Sequence, residues 1–182
     1  MKHFAISILF FGGLFILGSC ENERTVDPEG GDLVVTSATT ISSSMVIGNL
    51  TLQGNAVLVI DYTAAPANTF VVKGNVLVKD NAQLIVRGAP GLLNDGFIIA
   101  NEYSSQYTFT TTGNSRVRFE NIGIRTQTGT VSEKGNIYMS YDARDNSSLQ
   151  VDGAKLDNTS SWLLGTFRNK SRLEIFNAIN IP

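Results

Sequence analysis

Gly48-Asn49-Leu50-Thr51-Leu52-Gln53-Gly54-Asn55 returns 26 residues later as Gly74-Asn75-Val76-Leu77-Val78-Lys79-Asp80-Asn81. Both asparagine landmarks move together, Asn49 to Asn75 and Asn55 to Asn81. The segment that follows recurs further along. Asn55-Ala56-Val57-Leu58-Val59-Ile60-Asp61 is answered by Asn81-Ala82-Gln83-Leu84-Ile85-Val86-Arg87, by Asn114-Ser115-Arg116-Val117-Arg118-Phe119-Glu120 and by Asn146-Ser147-Ser148-Leu149-Gln150-Val151-Asp152. A weaker copy is Lys170-Ser171-Arg172-Leu173-Glu174-Ile175-Phe176. Alternation of apolar and other residues over such short runs is the pattern of a strand with one face buried.

Alternation also assigns the faces. Leu58, Leu84, Val117, Leu149 and Leu173 form one inward row, and Ile60, Val86, Phe119, Val151 and Ile175 a second. Ala56, Ala82, Ser115, Ser147 and Ser171 form a row of small residues near a corner. A unit that buries its apolar face only by stacking on its neighbours is a solenoid repeat. The Leu58 row is spaced 26, 33, 32 and 24 residues apart, which suits coils of unequal loop length. No long stretch has helical periodicity, and Gly and Asn punctuate the runs, so the class is all-β. A β-sandwich would also give short alternating strands but does not explain the matched 26-residue shift.

The chain therefore resembles the right-handed parallel β-helices of the pectate-lyase-like superfamily and related surface proteins, with about five coils. The resemblance covers about residues 45 to 182 and rests on the repeat rather than on a family signature. It implies that Asn55, Asn81, Asn114 and Asn146 stack as an asparagine ladder at a turn, with Lys170 breaking the series. The alternative is four independent turn asparagines. Facing outward, Asp61, Arg87, Glu120 and Asp152 alternate in sign over the first three, which would set Arg87 between two carboxylates. The chain stops soon after its last repeat, at Asn177-Ala178-Ile179-Asn180-Ile181-Pro182. Solenoids hide their terminal coils, so the expectation is a truncated fragment or a protein partner over the C-terminal coil.

Ahead of the repeats lies a different kind of segment. Lys2 is followed by a nearly continuous apolar run from Phe4 to Leu17 and then by Leu17-Gly18-Ser19-Cys20. The run is short for a transmembrane helix, and small residues precede the cleavage point. This resembles a bacterial lipoprotein signal peptide with its lipobox. The resemblance implies removal of residues 1–19 and lipidation of Cys20. More than one acyl chain would hold the protein stably on a membrane. Residues 20–32 then read as a polar tether and 33–182 as the β-helix domain. Glu21-Asn22-Glu23 resembles the acidic signals of lipoproteins sent to the outer face of a Gram-negative outer membrane; a solvated linker is the alternative.

Processing also narrows the chemistry. His3 is the single histidine and Cys20 the single cysteine. Their loss and lipidation remove Ser-His-Asp and Cys-His catalysis and His- or Cys-based zinc sites, and no intrachain disulfide can form. The formal charge of the whole chain is -2, and nothing points to nucleic acid. No cofactor or metal site is expected. Lyases of the β-helix type imply acidic calcium ligands, and Asp142, Asp145, Asp152 and Asp157 are the acids to consider; a solvated acidic loop is the simpler account.

Two surfaces remain as candidates for ligand binding. Arg116 and Arg118 alternate on one strand, and Arg172 holds the Arg116 position two repeats later with Ser148 between. Guanidinium groups in this array suit the carboxylates or phosphates of acidic sugars or lipopolysaccharide. The insertion from Gly88 to Tyr107 carries Tyr103 and Tyr107 beside Asn101, Glu102 and Gln106, a setting for stacking on a sugar ring; Tyr138, Tyr141 and Trp162 could join them. The expectation is a lipid-anchored surface β-helix that binds or displays glycans without catalysis. The alternatives are a polysaccharide lyase or hydrolase, or its remnant, and a structural adhesion or envelope module.

Overall fold

The computed structural model describes residues 30–90, 96–99, 109–122, 124–126, 138–153 and 162–177, with the backbone alone at 98–99, 124–126, 138–140 and 162–164. Cys20, the leader and most of the tether lie outside the described residues, as do Tyr103 and Tyr107. Among the described residues, no helix is long and apolar enough to cross a membrane.

The strands wind through three parallel sheets. Sheet A collects β1 (Leu33–Val35), β4 (Leu50–Leu52), β7 (Val76–Val78), β10 (Phe109–Thr111), β13 (Tyr138–Ala143) and β15 (Trp162–Phe167). Sheet B collects β2 (Thr39–Ile41), β5 (Val57–Asp61), β8 (Gln83–Arg87), β11 (Arg116–Glu120), β14 (Ser148–Asp152) and β16 (Arg172–Phe176). Sheet C holds β3 (Met45–Ile47), β6 (Phe70–Val72), β9 (Phe97–Ile99) and β12 (Ile124–Thr126). Through β12 the chain visits A, B and C in turn; among the described residues β13 to β16 then alternate between A and B, and each strand pairs with its counterpart one coil away. This is a parallel β-helix. Among the described residues, sheets A and B have six strands each, which makes six coils. The first, β1 to β3, precedes the coils marked by the Leu58 row.

The register is the one implied by the sequence repeat. Leu58 lies opposite Leu84, Leu84 opposite Val117, Val117 opposite Leu149 and Leu149 opposite Leu173. Leu58, Ile60, Leu84, Val86, Val117, Phe119, Leu149 and Val151 are all buried, as are Ala56, Ala82, Ser115 and Ser147. A slip of one residue would turn every one of these side chains outward, so burial fixes the register. The core changes character along its axis. It is aliphatic around Leu50, Leu52, Leu58 and Ile60, then becomes aromatic. Phe70 and Phe97 stack with ring centroids 5.7 Å apart, Phe97 meets the edge of Phe119 at 5.5 Å, and Phe109, Tyr141 and Phe167 continue the series at 5.4 and 5.7 Å. Among these rings Tyr141 alone carries a hydroxyl, which meets Thr111 Oγ1 at 3.0 Å; Thr111 Oγ1 in turn meets Ser147 Oγ at 2.9 Å.

The corner between sheets A and B is held by a ladder of amides. Asn81 Nδ2 donates to Asn55 Oδ1, Asn114 Nδ2 to Asn81 Oδ1, and Asn146 Nδ2 to Asn114 Oδ1, each at 3.1 Å. The four asparagines are stacked rather than independent, and the ladder ends below Lys170. The preceding residue in each turn is left-handed: Gly54, Asp80, Gly113, Asp145 and Asn169 have φ between 61° and 69°. Glycine and aspartate alternate over the first four of these. The Asp80 carboxylate accepts from the Gly54 N–H at 2.8 Å, and that of Asp145 from the Gly113 N–H at 2.9 Å. A shorter ladder holds the opposite corner. Asp32 Oδ1 accepts from Asn49 Nδ2 at 2.9 Å, and Asn49 Oδ1 from the Asn75 N–H at 2.8 Å. A Cβ at Gly74 would sit 2.3 Å from Asn49 Oδ1, which accounts for the Gly-Asn pair in the repeat.

Candidate functional site

The outward face of sheet B carries most of the charge predicted for a binding surface. Successive strands stand about 4.8 Å apart, so outward residues form rows across the sheet. One row runs Val57, Gln83, Arg116, Ser148, Arg172. The next runs Val59, Ile85, Arg118, Gln150, Glu174, and the third Asp61, Arg87, Glu120, Asp152, Phe176. The first two rows are uncharged in β5 and β8, at Val57, Val59, Gln83 and Ile85, and gain charge from β11 onward, while the third is charged from Asp61.

Most of the guanidinium groups on this face are already engaged. Glu120 lies between two arginines, with Arg87 Nε at 3.2 Å and Arg118 Nε at 2.8 Å. Arg118 also reaches Asp152 at 3.6 Å. Arg172 Nε donates to Glu174 Oε1 at 2.7 Å. These pairs are partly exposed and each contributes under about 1 kcal/mol, but each reduces the positive charge offered to a ligand. The alternating row differs in one respect from its sequence reading. Asp61 lies opposite Arg87 in register, yet its carboxylate accepts from Thr63 Oγ1 at 2.6 Å and from the Thr63 N–H at 3.0 Å. Those two bonds, with Arg87 as a weaker influence, lower its pKa below the ordinary aspartate value.

Arg116 is different. It is exposed, and among the described residues it makes no ion pair. Ser148, its neighbour in the row, is small and only 7% exposed, and Arg172 stands beyond it. Arg116 and Arg172 thus flank a low position about 10 Å wide, twice the strand spacing. Half-buried Gln83 adjoins Arg116 on the other side, and Gln150 supplies an amide in the next row.

The acidic residues considered for metal binding are dispersed. Asp142, on β13 in sheet A, is held by Arg144 at 2.6 Å, with Arg168 at 3.9 Å. Asp145 caps Gly113 at the A–B corner. Asp152, in sheet B, meets Arg118 and accepts from Asn177 Nδ2 at 2.9 Å. Asp157 lies outside the described residues. Among the described residues, no three His, Cys, Asp or Glu side chains gather as metal ligands. Tyr141 is buried in the core, while the side chains of Tyr138 and Trp162 lie outside what is described.

Sequence reasoning placed Arg116 and Arg172 in one row and Arg118 beside them, as the register has them. It missed the neutralisation of Arg118 and Arg172. Signals for it were present: Arg118-Phe119-Glu120 and Arg172-Leu173-Glu174 each put opposite charges two residues apart, on the same face of a strand. Comparison with known proteins finds no matching family model, no matching curated protein and no matching solved structure.

Proposed function

We propose that this chain is a non-catalytic, lipid-anchored β-helix of the cell envelope that binds an acidic glycan across sheet B, with Arg116 at the centre of the contact. The observation that carries this reading is the exposed guanidinium of Arg116, which makes no ion pair among the described residues, on a face where Arg87, Arg118 and Arg172 are each held by carboxylates. A uronate or phosphate approaching this face would meet in Arg116 a guanidinium able to form a bidentate pair. Gln83 and Gln150 are amides placed to receive sugar hydroxyls nearby. The rigid ladder-held scaffold keeps these groups at fixed spacing, which limits the ordering cost of binding. Anchoring through Cys20 would present the face at a membrane surface, and the acidic stretch Glu21-Asn22-Glu23 supports placement on the outer face of the outer membrane.

The test is a panel of acidic and neutral polysaccharides, with products followed by chromatography. Binding of acidic chains should weaken about ten- to a hundredfold in Arg116→Ser, since a lost charge-assisted hydrogen bond costs about 1.5–3 kcal/mol. Equal binding by wild type and variant removes Arg116 from the reading. Release of fragments supports a polysaccharide lyase or hydrolase instead. The internal pairing of the other arginines favours a second reading, a structural envelope or adhesion module. That reading stands if a folded sample binds no glycan.

A further inference from the structure

Strand β16 is the edge of sheet B, with β14 on one side only among the described residues. Its backbone alternates between that neighbour and the open side. The Arg172 N–H donates to the Ser147 carbonyl at 3.1 Å, and the Phe176 carbonyl accepts from the Gly153 N–H at 3.1 Å. Residues 172, 174 and 176 therefore address β14, and Leu173 and Ile175 direct their N–H and C=O groups outward. The side chains add to the exposure. Ile175 continues the buried row of Phe119 and Val151 but is 45% exposed, and Phe176 is 44% exposed. An unpaired edge with exposed apolar residues is a template for another strand.

The charges on β16 select the occupant. Arg172 and Glu174 flank Leu173 symmetrically and point to the same outward face. We propose that β16 pairs antiparallel with β16 of a second copy of this chain, about a two-fold axis through Leu173. In this register Leu173 opposes Leu173 of the second copy as a hydrogen-bonded pair, which uses the backbone groups the edge leaves open. Arg172 then opposes Glu174 of the second copy, and Glu174 its Arg172, giving two cross-strand ion pairs on one face. Ser171 opposes Ile175 of the second copy on the inner face. The neighbouring register about Glu174 would set the two Glu174 carboxylates against each other, and the one about Ile175 would leave Glu174 opposite Phe176. The Leu173 register is the self-complementary one, and a two-fold contact closes without propagating into fibres. This inference shares Arg172 with the outer face considered for glycan binding but does not rest on that reading: it is argued from the edge of sheet B, and its readout, molar mass, is separate from glycan affinity.

The experiment is the molar mass of the full-length chain in detergent, by light scattering corrected for bound detergent, over a dilution series. Wild type should dissociate from dimer to monomer on dilution. Arg172→Glu and Glu174→Arg should each weaken the dimer about tenfold, because two attractive cross-strand pairs become repulsive. An equimolar mixture of the two variants should restore dimer, since every pair in the mixed dimer is again opposite in charge. The mixing step separates the interface from any loss of folding within one variant, which mixing could not repair. A wild-type monomer at all concentrations overturns the proposal, as does a dimer indifferent to charge reversal or variants that do not recover on mixing.

Discussion

Replacing Asn81 by Ala tests whether the corner ladder holds adjacent coils together. Asn81 donates to Asn55 and accepts from Asn114, both at 3.1 Å, so the substitution removes two side-chain hydrogen bonds. Asn55 takes part in one of these bonds, so Asn55→Ala removes that one alone. Neither residue has positive φ, which leaves the backbone neutral to alanine. The ladder is exposed, and water competes for each amide, so a bond contributes about 0.5–1 kcal/mol. Asn81→Ala should therefore cost about 1–2 kcal/mol and Asn55→Ala about half of that. The double variant loses no bond that Asn81→Ala has not already lost. It should cost no more than the single Asn81 change, with a coupling of about 0.5–1 kcal/mol between the positions. Urea unfolding followed by far-UV circular dichroism, on a lipid-free form beginning after Cys20, gives all four corners of the cycle. The ladder reasoning fails if the two single costs are equal, or if they add fully in the double variant. Either result would mean that the asparagines act as separate turn residues.

Two further predictions concern the turns and the core. Gly113→Ala should destabilise by about 1–2 kcal/mol more than Gly54→Ala in thermal melts: both are left-handed, at φ 69° and 68°, and share that backbone cost. A Cβ at Gly113 would additionally lie 2.7 Å from the Asp80 carbonyl oxygen, whereas at Gly54 it meets open space. Burial raises the phenol pKa of Tyr62 and Tyr141 above the ordinary value. The unfolded chain loses these protons near pH 10 while the folded chain keeps them, so stability is intact below about pH 10 and falls above it. Tyrosinate absorbance from this pair should rise together with the loss of dichroism, and Tyr141→Phe should flatten the alkaline decline; ionisation of both tyrosines ahead of unfolding would refute their burial.

The parts of this molecule legible in the sequence are those where a contact between coils is also a repeat along the chain. Parallel in-register stacking places equivalent residues directly above one another. The recurrence of Asn55, Asn81, Asn114 and Asn146 was thus already the ladder, and the alternation in Leu58-Val59-Ile60 already separated core from surface. The first coil escaped because it has no corner asparagine and because its offset to the next coil is short, 17 residues at Asp32 and Asn49. The alternation of Gly54, Asp80, Gly113 and Asp145 was equally visible as letters, but its meaning depends on a carboxylate reaching the N–H of the coil below. The same holds for the candidate site. Sequence alone determined that Arg116, Arg118 and Arg172 share a face, because strand period and coil spacing fix direction and position. The carboxylates that hold Arg118 and Arg172 on their own strands were also visible as letters. The contacts between coils, Arg118 with Asp152 and Arg87 with Glu120, and the placing of Arg116 between Gln83 and Ser148 were decided only by the tertiary structure, because an arginine side chain spans the gap between neighbouring strands and what it meets there depends on how coils of unequal length are aligned.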